Sequence, residues 1–449
     1  MDLLLDANEG ASPPAGLMET LSRLDAELLR RYPNARPLEA MIAQRFGLAP
    51  EQVVVTAGAD DALYRVSMAM LEPGREVILP TPTFEMLPRY ARLAGAKIVE
   101  VPWVTPAFPL EAVRGEIRPA TAMIAVVSPN NPTGTVAEPR QLEALAAAAP
   151  HALIAVDLAY GEFAAVDLTP TALALPNAVV FRSFSKAWGM AGLRVGYAMG
   201  PAPLIGLLRA AGNPFSVTSL SIALVTERLK AETAADASGA ASAAWGAGLA
   251  AFRSRVQTER VELRRRLTAL GADAWPAEGN FVLARFRNGA WFRDALAGLG
   301  IGVRAFMDRP EIADCVRITC PCDEAKFARL CHAVDTALAP QGVIVESEAA
   351  AVRLRGAVGG GGIGFRLTVL AQASLRSDAV QQSLAAEGIQ RAWCVTERAE
   401  AVAGLRAAGV VPIGLTPGGV GENSLADALF EAGAARVVTS VEQVAELLP

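Results

Sequence analysis

The sequence predicts an α/β fold: a large, mostly parallel sheet, a smaller α+β unit beside it, and a small α/β unit at the C-terminal end. Three observations predict it. Apolar runs of strand length alternate with helical stretches between residues 52 and 199. The alternation gives way after Ala210 to a long amphipathic helix followed by short strands, and it resumes from Phe365. Near-continuous apolar runs separated by helices are what strands buried on both faces look like, and a parallel sheet needs helices on both faces.

In order along the chain, the expected strands of the large unit are Gln52 to Thr56, Glu76 to Leu79, Lys97 to Val101, Ala122 to Val127, Leu153 to Val156, Ala178 to Phe181 and Val195 to Met199. The α+β unit takes a helix from Leu249 to Leu270, strands at Asn280 to Arg285, Gly302 to Arg304 and Val316 to Thr319, and a helix from Asp323 to Leu338. Ala339-Pro340-Gln341-Gly342 reads as a linker, because Pro and Gly punctuate the end of the preceding helix. The last unit is expected to run strand Phe365 to Leu370, helix Ser377 to Glu387, strand Arg391 to Val395, helix Glu397 to Ala408, strand Val410 to Leu415, helix Ser424 to Ala432, strand Arg436 to Thr439 and helix Val441 to Leu448. The run Gly359 to Gly362 precedes no phosphate-loop lysine and reads as a flexible turn.

Composition narrows the function. With 449 residues, 52% of them hydrophobic and 19% charged, the chain is long enough for two or three cores. A formal charge of -5 and the lack of any basic block or basic-aromatic stripe argue against nucleic acid and favour a small-molecule partner. MDLLLDANEG is no secretory signal, and the Ala- and Gly-rich uncharged run Ser238 to Phe252 is too short to span a bilayer. The five cysteines form no CxxC pair and only His151 and His332 are present, so a reduced, cytoplasmic protein without structural metal is expected.

Ligands of open α/β sheets bind beyond the carboxyl ends of the strands, and the residues there are unusual. Gln52 to Thr56 leads into Ala57-Gly58-Ala59-Asp60-Asp61, where a helix starts and the N-H groups of Ala59 and Asp60 are free to hold an anion, although the same residues would also serve as a plain cap. Ala122 to Val127 runs into Ser128-Pro129-Asn130-Asn131-Pro132-Thr133-Gly134, which on its own is only a turn. Leu153 to Val156 ends in Asp157, with Tyr160 three residues on; a buried acid there needs a cationic or N-H partner. Ala178 to Phe181 delivers Ser183-Phe184-Ser185-Lys186, with Arg194 eight residues beyond the lysine. An amine, a buried acid, neutral donors and an anion cradle are together what pyridoxal phosphate requires.

In this order and spacing, Ser-Pro-Asn-Asn-Pro-Thr-Gly, Asp-x-x-Tyr and Ser-Phe-Ser-Lys with its following Arg resemble the class I/II aminotransferases, most closely their histidinol-phosphate aminotransferase branch, over residues 3 to about 338. The resemblance implies the fold type I of pyridoxal-phosphate-dependent transferases and Lys186 holding the cofactor as a Schiff base. It further implies Asp157 at the pyridinium nitrogen, Asn131 and Tyr160 at the phenolate oxygen, and Ser183, Ser185, Arg194 and the Ala59 and Asp60 amides at the phosphate. Phe84, where the family usually has Tyr, would stack on the ring. Arg317 and Arg304 match substrate anion-binding positions, Asn8 the Asn-Glu signature near the substrate, and Tyr32 a tyrosine that reaches the neighbouring subunit's cofactor phosphate, so a homodimer is implied. Members of the branch carry an arm with a Pro-Tyr element before that signature; Met1 stands only seven residues before Asn8, so no such arm is expected.

The implied domains are 1-44 and 241-340 as the two parts of the small domain, 45-240 as the large cofactor domain, and 343-449 as an appended α/β domain. That last segment resembles the second half of a haloacid-dehalogenase-type phosphatase through Gly404-Leu405-Arg406-Ala407-Ala408-Gly409 and Leu429-Phe430-Glu431-Ala432-Gly433-Ala434. It contains only two Asp (Asp378, Asp427), no DxD and no Lys, with Glu397 and Glu400 where metal-binding acids would stand, so an inactive remnant is expected. The function implied is transamination between L-glutamate/2-oxoglutarate and L-histidinol phosphate. The alternatives are an aromatic or other amino-acid aminotransferase of specialised metabolism, a pyridoxal-phosphate decarboxylase of a phosphorylated amino acid, and a binding protein that keeps the cofactor without turnover.

Overall fold

Seven of the strands expected from apolar runs assemble into one sheet, whose order sets where the chemistry can sit. The computed structural model describes the chain except for residues 11, 13-14, 239-247, 359-365, 371-374, 417-421 and 449. The predicted glycine turn at Gly359 to Gly362 therefore lies outside the described residues. After a two-residue strand β1 (Leu3–Leu4), the large sheet is built from β2 (Val53–Thr56), β3 (Glu76–Thr81), β4 (Lys97–Pro102), β5 (Thr121–Val127), β6 (Leu153–Asp157), β7 (Ala178–Ser183) and β8 (Gly196–Met199). Their order is β2-β8-β7-β6-β5-β3-β4, parallel except for β8, which is antiparallel to both its neighbours. Every residue of β5, β6 and β7 is buried, which explains why these strands read as unbroken apolar runs. Helix Gly58–Met70 covers one face with Ala62, Leu63 and Val66; its first turn carries Asp60 and Asp61, favourable at a helix N-terminus, and Asp61 Oδ2 accepts from Ala57 N at 2.9 Å.

The smaller sheet has the order β12-β13-β10-β9 and is antiparallel, made of β9 (Asp273–Ala274), β10 (Phe281–Arg285), β12 (Arg304–Ala305) and β13 (Cys315–Thr319). The strand expected from Gly302 to Arg304 is in fact two short ones. β11 (Ile301–Gly302) pairs in parallel with β1, and the chain shifts at Val303 so that β12 pairs with β13. One stretch thereby ties the N-terminal segment to this sheet.

The first strand of the C-terminal unit lies ahead of the one expected from the sequence. Gly342 opens a strand, β14 (Gly342–Val345), instead of closing a linker, and the unpredicted helix Glu348–Val358 follows it. With β15 (Arg366–Val369), β16 (Ala392–Thr396), β17 (Val411–Leu415) and β18 (Arg436–Val438) it forms a parallel sheet of order β15-β14-β16-β17-β18. The segment Val441–Leu447 is a 3-10 turn where an α-helix was expected. Among the described residues no helix is long and apolar enough to cross a membrane.

This unit shares a core with the smaller sheet's helices: Val343, Val345, Trp393, Val411 and Ile413 pack in one cluster with Leu296, Leu330 and Val334. Trp393 is fully buried, lies edge-on to Trp291 at 4.9 Å and donates from Nε1 to Thr336 O at 2.7 Å. At the rim, Asp2 pairs with Arg329 and with Arg406, both at 2.6 Å, and Arg436 pairs with Asp294 at 2.6 Å. Trp393→Ala is expected to cost about 3–5 kcal/mol, as removal of a large buried ring does, and to lower the urea midpoint of the whole small-sheet region. A midpoint unchanged from the parent would show that the two units do not unfold together.

Candidate active site

Strand register brings together residues scattered over 140 positions. Thr56 of β2 and Ser183 of β7 both pair with Gly196 at the start of β8. Arg194, two residues before Gly196, is therefore set beside both the Ala57–Asp60 turn and the Ser183–Lys186 turn. Asp157 pairs with Val127 of β5 and Phe181 of β7, so the 128–134 loop opens at the same sheet edge. There a cavity of about 560 Å³ is lined by residues of both sheets and of the N-terminal segment.

Ala59, Asp60, Phe84, Asn131, Asp157, Tyr160, Ser183, Ser185, Lys186, Arg194, Arg304 and Arg317 all line it. Asn8 lies just behind, 1% exposed, and its side chain donates to Tyr160 Oη at 3.0 Å. Tyr160 therefore accepts from Asn8 and keeps its own O–H for a partner in the cavity. Asn131 is oriented likewise: its Oδ1 accepts from Arg317 Nη1, which leaves its amide N–H groups to donate. Tyr32, unlike these residues and Asn8 behind them, lies away from the cavity. It is 81% exposed, and its ring stacks on Phe215 at 4.6 Å.

The residues fit pyridoxal phosphate. Asp157 is buried and, among the described residues, its carboxylate receives one hydrogen bond, from Ala159 N at 3.0 Å, with no cation within ion-pair distance. Burial pushes its carboxyl up to about 7, against which the Ala159 amide and the more distant Lys186 work only partly. A buried acid in this condition calls for a cation supplied by a ligand. At the other end Arg194, in the left-handed region at φ 53°, reaches Ser185 Oγ at 3.5 Å and Asp60 Oδ2 at 3.3 Å, opposite the first-turn N–H groups of helix Gly58–Met70. Gly58 has φ +81°, and a Cβ there would stand 2.6 Å from Arg194 Nη2, so any larger residue would fill this cradle. Lys186 Nζ donates to Ala7 O at 3.0 Å and lies 5.6 Å from the Tyr160 ring centre. The N-terminal segment approaches so closely that a Cβ on Gly10 would stand 2.1 Å from Lys186 O.

The far end of the cavity is cationic. Among the described residues Arg317, 7% exposed, donates only to neutral acceptors, Asn131 Oδ1 and Asp6 O, and its Nε is buried without a partner. Burial and the nearby Arg304 draw its pKa down. Arg304 and Arg317 are register partners across β12 and β13, an arrangement of like charges that destabilises a sheet. Arg309, which no sequence pattern flagged, lines the same end. Asp6, Glu9 and Glu85 line the cavity too, but none lies within ion-pair distance of these three arginines.

The family description "Aminotransferase class I and II" matches residues 2–334. Histidinol-phosphate aminotransferase 1 of Bradyrhizobium diazoefficiens is 36% identical over 332 residues, covering 71% of this chain and 88% of that protein. An aromatic amino acid aminotransferase of Mycobacteroides abscessus is 34% identical over 310 residues, 67% of this chain and 85% of that one. Among solved structures, the Thermus thermophilus aspartate aminotransferase with maleate aligns at TM-score 0.63 and 27% identity, over 74% of this chain and 91% of that one. The Sinorhizobium meliloti histidinol-phosphate aminotransferase in complex with pyridoxal-5'-phosphate has the same fold at TM-score 0.65 and 21% identity, over 74% of this chain and 90% of that one. A cavity that fits the cofactor and a match spanning most of the chain lead to one statement: this protein belongs to the class I and II aminotransferase family, and pyridoxal 5'-phosphate is its cofactor.

Proposed function

We propose that the chain moves an amino group between L-glutamate/2-oxoglutarate and L-histidinol phosphate. The observation that carries this reading is the pair Arg304 and Arg317, opposite each other on adjacent strands with no carboxylate within ion-pair distance among the described residues. A dianionic phosphate or a carboxylate would relieve that repulsion, and planar guanidinium forks suit both. The 36% identical Bradyrhizobium protein supports the phosphate substrate. A second reading, an aromatic amino-acid aminotransferase, is favoured by Phe306: its ring centre is 5.9 Å from the Cζ of both arginines, an apolar floor for an aromatic side chain. A decarboxylase would share the cofactor residues, and conversion of the cofactor to its amine form by L-glutamate separates it from a transaminase.

When bound, the cofactor supplies a ring that accepts the electron pair released at the substrate's α-carbon. Lys186 anchors it and then takes and returns the proton at that carbon, helped by being the one primary amine among the cavity's lining residues. Asp157 holds a proton on the ring nitrogen. Asn131 and Tyr160 donate to the phenolate oxygen, with Asn8 fixing the tyrosine, while Phe84 stacks on the ring. Ser183, Ser185, Arg194 and the amides of Ala59 and Asp60 hold the phosphate. Tyr32, exposed and stacked on the exposed Phe215, would serve a second copy of the chain in a homodimer. The C-terminal unit, whose inner face is spent on the shared core, would be a scaffold derived from a phosphatase-like domain. The protein would work in the cytoplasm.

The test compares kcat/KM for histidinol phosphate and for phenylalanine in the parent and in Arg304→Ala. The parent is expected to prefer histidinol phosphate, and the variant to lose it about 10- to 100-fold more than phenylalanine, the scale of a charged hydrogen-bonded contact. Equal losses, or a parent that prefers phenylalanine, would assign the chain to the aromatic reading.

A further inference from the structure

Arg309 belongs to no motif, yet its guanidinium reaches the cavity from the loop that follows β12. It spans the two sheets' loops: Nη1 donates to Thr83 O at 3.0 Å, one residue before Phe84. That is its one side-chain hydrogen bond among the described residues, and it occupies a single donor of the five a guanidinium carries. No carboxylate lies within ion-pair distance of it among the described residues. The loop is fixed from inside, because Arg309 N donates to Phe306 O at 3.0 Å and Phe306 is itself 7% exposed. Phe306 and Arg309 thus sit on one short, anchored loop directly after Arg304 of β12, and the Cζ of Arg304 and of Arg317 each lie 5.9 Å from the Phe306 ring centre.

Two arginines on opposed strands can share one acidic group. A third, unpaired and on the side of Thr83 and Phe84, is in place for another. We propose that Arg309 is a specificity-determining residue: it takes the distal acidic group of a diacid co-substrate whose first carboxylate is at Arg317, and so selects five-carbon dicarboxylates over monocarboxylates with an apolar tail. This rests on reading the site as that of a transaminase with an acidic amino donor, but not on histidinol phosphate being the other substrate.

Two unreactive acids separate the effects. Glutarate carries both carboxylates of the donor and no amine; 3-phenylpropanoate carries one carboxylate and an aromatic tail. Their dissociation constants are measured by calorimetry on the cofactor-loaded parent, Arg309→Ala and Arg309→Gln, the last keeping a neutral donor for Thr83 O. Both variants are expected to bind glutarate roughly 10- to 100-fold more weakly, with 3-phenylpropanoate changed less than about threefold, since a charge-assisted contact is lost from one ligand only. Equal weakening of both acids would make Arg309 a latch between loops, and unchanged glutarate binding, or none in the parent, would also overturn the proposal. The two readings fail separately. A parent that prefers phenylalanine to histidinol phosphate, with glutarate still lost in the variants, removes the substrate assignment and leaves Arg309 in its role. Preference for histidinol phosphate with glutarate binding intact does the reverse.

Discussion

Lys186→Ala is expected to abolish transamination, by more than about 10⁴-fold, because it removes both the covalent anchor and the base in one change. The variant still has Ser183, Ser185, Arg194 and the helix N-terminus to hold a phosphate, so it should bind pyridoxal phosphate reversibly, and dialysis should remove what the parent retains. Borohydride reduction of the parent should fix the cofactor to a single peptide. The chain has only four lysines, Lys97, Lys186, Lys230 and Lys326, which makes peptide mapping decisive. Lys97 is engaged by Glu76 at 2.8 Å and Lys230 by Glu227 at 2.7 Å, both outside the cavity. An adduct on either, or substantial turnover by the alanine variant, would displace Lys186 from the centre of the site.

The large sheet and its strand ends were legible in the sequence for one physical reason. Strands buried on both faces must be apolar throughout, so they stand out, and the first polar residues after them are those left at the sheet edge. Asp157, Asn131 and Ser183 are visible in this way. What the sequence hid depends on tertiary pairing. Arg309 meets Thr83 across 226 positions, and nothing local marks it. Likewise the repulsive pairing of Arg304 with Arg317 exists only once β12 and β13 are in register. β14 was missed because a four-residue strand directly after Pro340 and Gln341 looks like the end of a linker, and its partners β15 and β16 lie at least 20 positions on. Tyr32 is a different case: the residue matches its motif, but a single chain gives it only Phe215 to stack on.

Asp157→Asn is expected to lower turnover about 10²- to 10³-fold, the scale of losing one preorganised electrostatic contact, because the change removes the carboxylate proposed to hold a proton on the ring nitrogen. The fold should tolerate the change, since an Asn Oδ1 can still accept from Ala159 N, the one hydrogen bond the Asp157 side chain makes among the described residues. The cofactor-free protein gives the independent check. Burial raises the Asp157 carboxyl from its usual 3.8 to about 7. Well below pH 3.8 the acid is protonated in folded and unfolded chains alike and costs nothing. Between about pH 4 and pH 7 the unfolded chain releases this proton while the folded one keeps it, so stability falls as pH rises, and above pH 7 the full penalty of a few kcal/mol remains. Asn carries no such penalty. Cofactor-free Asp157→Asn should therefore melt above the cofactor-free parent at pH 8, with the gap cut to about a quarter at pH 4.5. Loading the cofactor should reverse the ranking at pH 8, because only the carboxylate then gains a cationic partner. Near-normal turnover in the variant, or a melting difference that stays constant from pH 4.5 to pH 8, would mean that Asp157 is a structural acid and that the ring nitrogen is held elsewhere.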